Sequence, residues 1–422
     1  MKLLKIIFHL DSFIATIIVF LVIEHFTIYQ NLDFLNPFIN IAQDLNITDV
    51  VFSKLRNDGR YQTDSNIVLV NVGYLSRKGI AKQLEIINKY EPAVVSLDVR
   101  FTKRKSDEQD IPLRNAFNST KNLVLPVKLN YDYKNENFTS ITPCNDFFTE
   151  KAKQGFVNVI VDRSYKDMTE EELQEVESKY AKTIRKISIR EEVNRKTEYD
   201  LAARILQIYA PDKFHQLIKH TNNIEIINFR RNIDKYLTFD VKDIFDRDEN
   251  LNKIKGKIVL MGFIGPDIHT RVSEDIFFTP LNPQFVGKSF PDMYGVVVHA
   301  NILSMLLDES YFYSFPDWTN NLFKILILYF MMNGLFLLRN KFVLLYEPLS
   351  ISLVFGSLFA WFIFIIYLFN VWNLFLDLSD LFFYILLTVP VFELYQDSIK
   401  PMGARVFHSS IHYIKKQLKG EK

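Results

Sequence analysis

A single histidine, His299, lies in the stretch YGVVVHANILSMLL, between three valines and residues that turn apolar at helical spacing. An imidazole there can contact a ligand, or it can donate one ring N–H to a backbone carbonyl and hold the junction between a strand and a helix. No Cys, Asp or Glu lies three or four residues away, so we expect no metal site. The pattern favours the structural junction, and a ligand contact stays open.

Three other features fall where an open α/β sheet would place a ligand, beside the carboxyl ends of its strands. Asp98 lies near the end of the run AVVSLDV, Gly262 follows KIVLM in the segment MGFIGPD, and Thr279 begins the Thr-Pro turn of the segment FFTP. Asp275, which precedes FFTP, is a further candidate. Each also has a structural interpretation, as a turn cap, a tight turn or a loop brace, which is favoured for Asp98 and Gly262. With His299, these are the candidate ligand-binding residues.

Known catalytic motifs are not found in the sequence. It contains no G-x-S-x-G elbow, no G-x-x-x-x-G-K-S/T phosphate loop and no H-E-x-x-H pair. We therefore predict that the chain is not an enzyme, has no catalytic residue and uses no metal or other cofactor. An envelope-facing hydrolase is the least favoured class.

Composition restricts the partners further. The 422 residues include 50 Lys and Arg against 49 Asp and Glu, so no global positive field would attract nucleic acid, and nucleic acid is not an expected partner. Cys144 is the single cysteine, which excludes an internal disulfide and a thiolate zinc site. Cysteine usage does not identify the compartment.

An alternation of buried strands and helices must position the candidate residues. Continuous apolar runs predict strands at 67–72, 93–99 and 122–129, and helical spacing predicts helices at 80–87 and 113–117 between them. This order implies a parallel βαβαβ unit with covering helices, within a mixed α/β sheet. Further strands are predicted at 155–161, 224–229 and 257–261, helices at 200–209 and 297–307, and a solvated helix or loop at 165–180.

Four apolar segments are long enough to cross a bilayer, at 6–29, 322–338, 351–369 and 374–392. A signal peptide is the alternative for the first, but its length and the lack of a small-x-small cleavage site favour an uncleaved anchor. Asp377 and Asp380 are either functional carboxylates within the last span or signs that this span begins later, near Leu381. The later start is favoured.

Lys and Arg flank the spans on alternate sides, which sets their orientation. The pattern predicts that both termini are cytoplasmic and that residues 31–318 lie outside a bacterial inner membrane. The expected organisation is 1–30 as the N-terminus and first span, 31–318 as an extracytoplasmic α/β domain, 319–394 as spans two to four, and 395–422 as a cytoplasmic tail.

The tail has an apolar face opposite basic residues, a pattern that fits either anionic lipid or a docking partner. The residues expected to make these contacts are Phe407, Ile411, Ile414, Leu418, Lys415 and Lys416.

Eight short blocks occur in an order and spacing that resemble one family. They are IVLVNV, AVVSLDVRF, GFVNVIVD, INF, FDVKDIF, KGKIVLMG, FFTP and YGVVVHANILSMLL. Over roughly residues 40–315 the chain resembles the second class of CHASE domains, which are extracytoplasmic sensory modules. One span before the domain and three after it match the family's layout. The resemblance implies that Asp275 is the aspartate often found before the family's Thr-Pro pair.

The chain departs from this family in three places. Gly73 stands where the first strand usually ends in an acidic residue, and an acidic insertion precedes TIRKISI. About 28 residues follow the last span, where the family usually has a fused kinase or cyclase. We therefore predict a membrane-integrated sensor of an unknown ligand or protein that signals through a separate protein partner, with a homodimer expected by analogy. The alternative is a non-catalytic docking subunit of a cell-envelope complex.

Overall fold

The computed structural model describes residues 10–28, 49, 51–56, 62–132, 137–158, 183–219, 223–282, 290–376, 381–403 and 405. The chain divides into two compact units. Asp44–Phe312 forms one unit, which we call the α/β domain. Met1–Gln43 and Tyr313–Lys422 form the other, which we call the helical unit.

Helices occur in both units. In chain order they are α1 Leu10–Ile28, α2 Arg77–Asn88, α3 Asp107–Ser119, α4 Leu201–Tyr209, α5 Pro211–Lys219, α6 Val241–Phe245, α7 Gly295–Leu307, α8 Asp317–Lys341, α9 Tyr346–Trp372 and α10 Leu381–Leu394. Short 3₁₀ turns lie at Asp146–Phe148, Ile233–Lys235, Glu249–Ile254 and Val343–Leu345, and π-helical turns lie at Val51–Arg56 and Tyr395–Ile399.

The strands are concentrated in the α/β domain. They are β1 Ile67–Asn71, β2 Val94–Leu97, β3 Leu123–Asp132, β4 Asn137–Thr142, β5 Lys153–Phe156, β6 Lys186–Ser188, β7 Arg190–Val193, β8 Lys196–Tyr199, β9 Ile224–Ile226, β10 Leu237–Phe239, β11 Ile258–Gly262, β12 Ile276–Phe277 and β13 Met293–Tyr294. Two short strands of the helical unit complete the set, β14 Tyr313–Ser314 and β15 Leu374–Phe375.

The main sheet runs in the order β10-β1-β11-β2-β3-β4, and β5 also pairs with β3. All of these pairs are parallel except β3 with β4. The predicted mixed α/β class with parallel strands is therefore confirmed. One detail differs from the simple βαβαβ expectation, because β11 inserts between β1 and β2 and keeps them from pairing with each other.

Helices cover both faces of this sheet. Alternate residues of β1 point to opposite faces, since side chains along a strand alternate. Val68 and Val70 join an apolar core with α2 and α3 on one face. Two other helices also pack on the sheet: α7 contacts β1 and β11, and α4 contacts β2 and β3. Every residue of β1 and β11 is buried, which explains their continuous apolar sequences.

Two predicted strands are shorter than expected. β5 ends at Phe156, and residues 159–161 of the predicted strand lie outside the described residues. β9 ends at Ile226 and pairs with β6 rather than with the main sheet. The chain turns directly afterwards, because the backbone N–H of Phe229 donates to the carbonyl of Ile227 at 3.0 Å. The predicted solvated segment at 165–180 also lies outside the described residues.

Local capping signals explain where the helices begin. Ser76 precedes α2 and its side chain accepts a hydrogen bond from the backbone N–H of Gly79. Asp200 does the same for α4 through the N–H of Ala202. Such caps satisfy backbone donors that have no partner within the first helical turn.

In the helical unit, α8 packs against α1, α9 and α10. Two segments, Trp318–Lys341 and Val343–Trp372, are long and apolar enough to cross a membrane by length and composition. They contain the second and third predicted spans. The first and fourth predicted spans correspond to α1 and α10, whose described apolar stretches are shorter. Asp377 and Asp380 lie outside the described residues.

Polar side chains also join helices inside this unit. The hydroxyl of Ser12 on α1 donates to Oδ1 of Asn333 on α8 at 2.9 Å, and both residues are buried. Hydrogen bonds of this kind hold helices together where apolar contact alone gives no preference for one packing arrangement. On α9, by contrast, large apolar side chains such as Phe355 and Phe359 are more than half exposed.

Candidate functional site

Three neighbouring parallel strands end at one level of the sheet. In the register of the sheet, Asn71 at the end of β1 pairs with Gly262 at the end of β11, and Met261 pairs with Leu97 of β2. Asp98 follows directly, and its backbone N–H donates to the carbonyl of Met261 at 2.7 Å. This carboxyl edge brings together residues that are far apart in sequence, as expected for a ligand site in an open α/β sheet.

Asn71 organises the loops at this edge. Its Oδ1 accepts hydrogen bonds from the backbone N–H groups of Gly73 and Ile264, at 2.9 and 3.0 Å, while Nδ2 donates to Asp240 at 2.9 Å and to the carbonyl of Gly265 at 3.1 Å. Sequence reasoning missed this residue. A polar side chain that closes a fully apolar strand was the signal that could have identified it.

Gly262 permits close packing of α7. A Cβ atom at this position would lie 2.6 Å from Cβ of Val296, a distance that no real pair of such atoms can keep. Gly262 is itself the last residue of β11, so the tight turn predicted for MGFIGPD begins after it. The nearby Gly265, with φ of +103°, takes the left-handed conformation that this turn requires.

His299 lies inside α7 and not at its start. The helix begins at Gly295, two residues earlier than predicted, so Val296 to Val298 are helical and the preceding strand β13 is only two residues long. The expected hydrogen bond to a backbone carbonyl is absent, because Nδ1 is buried and has no partner among the described residues. The ring instead faces Asp98, with Nε2 3.9 Å from Oδ2.

Asp275 lies against the first residue of α7. Its backbone, at φ of +50°, accepts a hydrogen bond from the N–H of Gly295 at 3.0 Å. A Cβ atom at Gly295 would stand only 3.1 Å from both carboxylate oxygens of Asp275, so any larger residue would press on this carboxylate. Burial, and then the negative charge of Asp98, raise the pKa of Asp275 to about 7.

Asp200 is a fourth titratable group of the same cluster. It is fully buried, its Oδ1 caps α4 by accepting from the N–H of Ala202 at 2.7 Å, and its Oδ2 has no partner among the described residues. Burial raises the pKa of Asp200 to about 6, while the charge of His299 acts in the opposite direction. We call Asp98, Asp200, Asp275 and His299 the Asp98 cluster.

Thr279 is engaged elsewhere. Its backbone N–H and its hydroxyl both donate to the carboxylate of Asp292, at 2.8 and 2.5 Å. Burial raises the pKa of Asp292 to about 6, although the hydrogen bonds from Thr279 oppose this change. Thr279 is therefore bonded to Asp292, three residues before the start of α7, and the structure does not bring it into the Asp98 cluster.

A second polar group, which we call the Asp64 network, lies on the other side of α7. Oδ2 of Asp64 accepts a hydrogen bond from Ser304 at 2.9 Å and forms an ion pair with Arg231 at 3.3 Å. Asn301 accepts from the backbone N–H groups of Arg230 and Arg231, at 3.0 and 3.1 Å. Because α7 turns through 100° per residue, His299 points away from Asn301 and Ser304.

Within the described ranges, no three His, Cys, Asp or Glu residues are arranged so that they could hold a metal ion. The residues expected to contact a membrane or a partner, Phe407, Ile411, Ile414, Leu418, Lys415 and Lys416, lie outside the described residues.

The comparisons with known proteins identify the domain. The family model of the CHASE2 domain matches residues 40–335. The chain belongs to the CHASE2 domain family. This confirms the predicted resemblance and extends it beyond the α/β domain into α8, and CHASE2 is a sensory domain family. No curated protein and no solved structure matches the chain. In this CHASE2 domain, the Asp98 cluster lies at the sheet edge where ligands bind in open α/β folds.

Proposed function

We propose that this CHASE2 protein is a bacterial inner-membrane receptor whose domain binds a ligand at the Asp98 cluster and passes the bound state to a protein partner. The observation that supports this proposal is the meeting of Asp98, Asp275 and His299, from three distant segments, at the carboxyl edge of the sheet. A sensory family and a partly exposed cluster of titratable groups fit a receptor site.

The receptor crosses the membrane four times in this proposal, with both termini in the cytoplasm and residues 31–318 in the periplasm. Two helices of suitable length and the distribution of Lys and Arg between the spans support this arrangement.

Helix α7 provides the route for the signal. All of its residues are buried, and it holds His299 on one side and the Asp64 network on the other. A ligand that shifts the N-terminal turn of α7 displaces a rigid element, and the chain continues from the end of this helix into α8 only ten residues later. Such a helix shift is an established form of conformational signalling.

The output is proposed to act through a separate signalling protein, with a homodimer as the receptor unit. The apolar and basic faces of residues 407–418 supply a docking segment of suitable chemistry for a partner at the membrane surface. A purely structural subunit would use the same domain as a docking surface for envelope proteins and would need no ligand.

Purification from mild detergent, followed by identification of the co-purifying proteins, tests the receptor proposal. A stoichiometric kinase or cyclase is expected, and its association should change in Asp98→Asn but not in Asp246→Asn, which alters an exposed aspartate at the end of α6. A stable set of envelope structural proteins that is insensitive to Asp98→Asn would favour the docking subunit.

A reporter fusion tests the topology separately. A reporter after Lys422 should be active only in the cytoplasm, and one inserted after Asp246 only in the periplasm. Periplasmic activity of the first fusion would contradict the four-span arrangement.

A further inference from the structure

The Asp98 cluster differs in charge from two other buried carboxylates of the domain, Asp64 and Asp110. Asp64 has an arginine partner, Arg231, at 3.3 Å, and Asp110 has Arg77 at 2.5 Å. Within the described parts of the chain, neither Asp98 nor Asp275 forms an ion pair with a lysine or an arginine, and Nε2 of His299 lies 3.9 Å from Oδ2 of Asp98. The cluster therefore contains an excess of negative charge.

Two buried groups of the cluster lack hydrogen-bond partners. His299 is about nine-tenths buried, with 6% of its side chain exposed, and it faces Asp98 through Nε2 while Nδ1 is unpaired among the described residues. Oδ2 of Asp200, which is fully buried, is also unpaired. Buried polar atoms in native proteins are normally hydrogen-bonded, so exceptions at one place call for an explanation.

The cluster is open to solvent on the side of Asp98 and Asp275. The side chain of Asp98 is 17% exposed, and Asp275 is half-buried. His299 and Asp200 are more deeply buried than these two residues. A ligand that arrives from solvent would therefore meet the two carboxylates first.

These observations favour one class of ligand. An anion would be repelled by the carboxylates, and a metal ion would need a set of three ligands that the described residues do not form. We propose that the Asp98 cluster binds a small molecule through its positively charged ammonium group. This inference rests on the proposed function, since it assigns a ligand class to the same site.

An ammonium group suits the chemistry of the cluster. Its N–H groups donate to the carboxylates of Asp98 and Asp275. A bound cation also keeps Asp275 ionised, since an opposite charge lowers the pKa that burial and Asp98 have raised. Binding should therefore weaken as the pH falls below about 7.

Thermal unfolding of the full-length protein in detergent tests this inference. The probes are methylammonium and 1,4-diaminobutane, compared with neutral 1,4-butanediol, anionic succinate, and magnesium and zinc chlorides. Each probe is titrated against the wild-type protein and the variants Asp98→Asn, Asp275→Asn and Asp246→Asn. Hydrogen exchange at peptides of β1 and β11 verifies that each variant is folded.

We expect the ammonium probes to raise the unfolding temperature of the wild-type protein and of Asp246→Asn equally. The apparent dissociation constant should rise at least tenfold in Asp98→Asn and in Asp275→Asn. No shift with either ammonium probe, or an equal shift in Asp98→Asn, would overturn the inference. A larger shift with a metal ion would do the same.

The outcomes also separate this inference from the proposed function. If succinate or butanediol stabilises the wild-type protein, the ammonium probes do not, and Asp98→Asn abolishes the effect, the ligand class is wrong but the binding site stands. If no probe binds and Asp98→Asn leaves the co-purifying proteins unchanged, both the ligand class and the receptor proposal fail.

Discussion

The two sides of α7 show two ways of burying charge. On one side, the Asp64 network pairs its carboxylate with Arg231 and Ser304, and Asn301 satisfies two backbone N–H groups. On the other side, His299 faces Asp98 at 3.9 Å without a hydrogen bond, and among the described residues Asp98, Asp200 and Asp275 form no ion pair with a lysine or an arginine. The first arrangement fixes the position of the helix, and the second leaves interactions available to a ligand.

This difference matters because an unsatisfied buried group reduces stability, whereas a satisfied network specifies one conformation. A receptor needs both on the element that transmits its signal. The Asp64 network holds one side of α7 in place. On the other side, a ligand bound at the Asp98 cluster can change the free energy of the domain.

The largest expected effect comes from breaking the Asp64 network. Asp64→Ala leaves Arg231, with 11% of its side chain exposed, without its carboxylate. We expect the free energy of unfolding of the domain to fall by about 3–5 kcal/mol. Hydrogen exchange of the full-length protein at β1 and β11 measures this change. Asp246→Ala is the surface control, and a loss below about 1 kcal/mol for Asp64→Ala would show that the network does not fix α7.

Asn301→Ala should have the next largest effect. It removes the side-chain acceptor that the backbone N–H groups of Arg230 and Arg231 share, and we expect a loss of about 2–3 kcal/mol by the same measurement. Asn301→Asp keeps this acceptor but loses the donation from Nδ2 to the carbonyl of Arg231. Its free energy of unfolding should therefore lie between those of Asn301→Ala and the wild-type protein. Equal stability of Asn301→Ala and the wild-type protein would contradict the comparison.

On the cluster side, Asp275→Asn should stabilise the domain. The raised pKa of Asp275, about 7 against an ordinary 3.8, means that the folded state binds more protons than the unfolded state between these pH values. Stability therefore falls as the pH rises through this window. Since Asp275 is half-buried, solvent screening limits the gain in Asp275→Asn to about 1–2 kcal/mol at pH 8.

The stabilisation by Asp275→Asn should disappear below about pH 4, where both forms of the protein carry a neutral side chain at this position. Asparagine also accepts the positive φ of residue 275. Unfolding temperatures at pH 4, 6 and 8 give the test, and destabilisation at pH 8 would show that the Asp275 carboxylate is satisfied in the folded protein.

The smallest change is expected for His299→Leu. The ring forms no hydrogen bond with the described residues, so an apolar side chain of similar size should alter the free energy of unfolding by less than about 1 kcal/mol. The pKa of Asp200 should rise further, since the charge of His299 lowers it in the wild-type protein. A loss as large as that of Asn301→Ala would place His299 among the residues that fix the helix.

Much of the fold follows from local sequence patterns. The runs at 67–72, 93–99 and 257–261 are continuously apolar because β1, β2 and β11 are covered on both faces, and the sequence shows this directly. The position of β11 between the other two strands was not predictable, since strand order depends on pairings between distant segments.

The candidate site was predicted only in part. Asp98 and Gly262 could be placed near one edge because they follow predicted strands, whereas Asp275 was a candidate through the resemblance to the family. Asp200 is at the start of a helix, so its position in the sequence predicts only a capping role. The packing of α4 against α7 is what brings it near His299. Thr279 was also predicted at this edge, but its hydroxyl donates to Asp292, and local sequence patterns do not predict a hydrogen bond between these two segments.

The central place of β11 also constrains how the domain forms. Ile67 pairs with Ile258, about 190 residues later in the chain, so the middle of the sheet stays open until nearly the whole domain has been synthesised. Contacts between such distant segments slow folding, because a long loop must close before they stabilise anything. The exposed edges of β1 and β2 would be vulnerable to wrong pairing during that interval. We therefore expect the emerging chain to depend on chaperones that shield apolar strands until β11 is available.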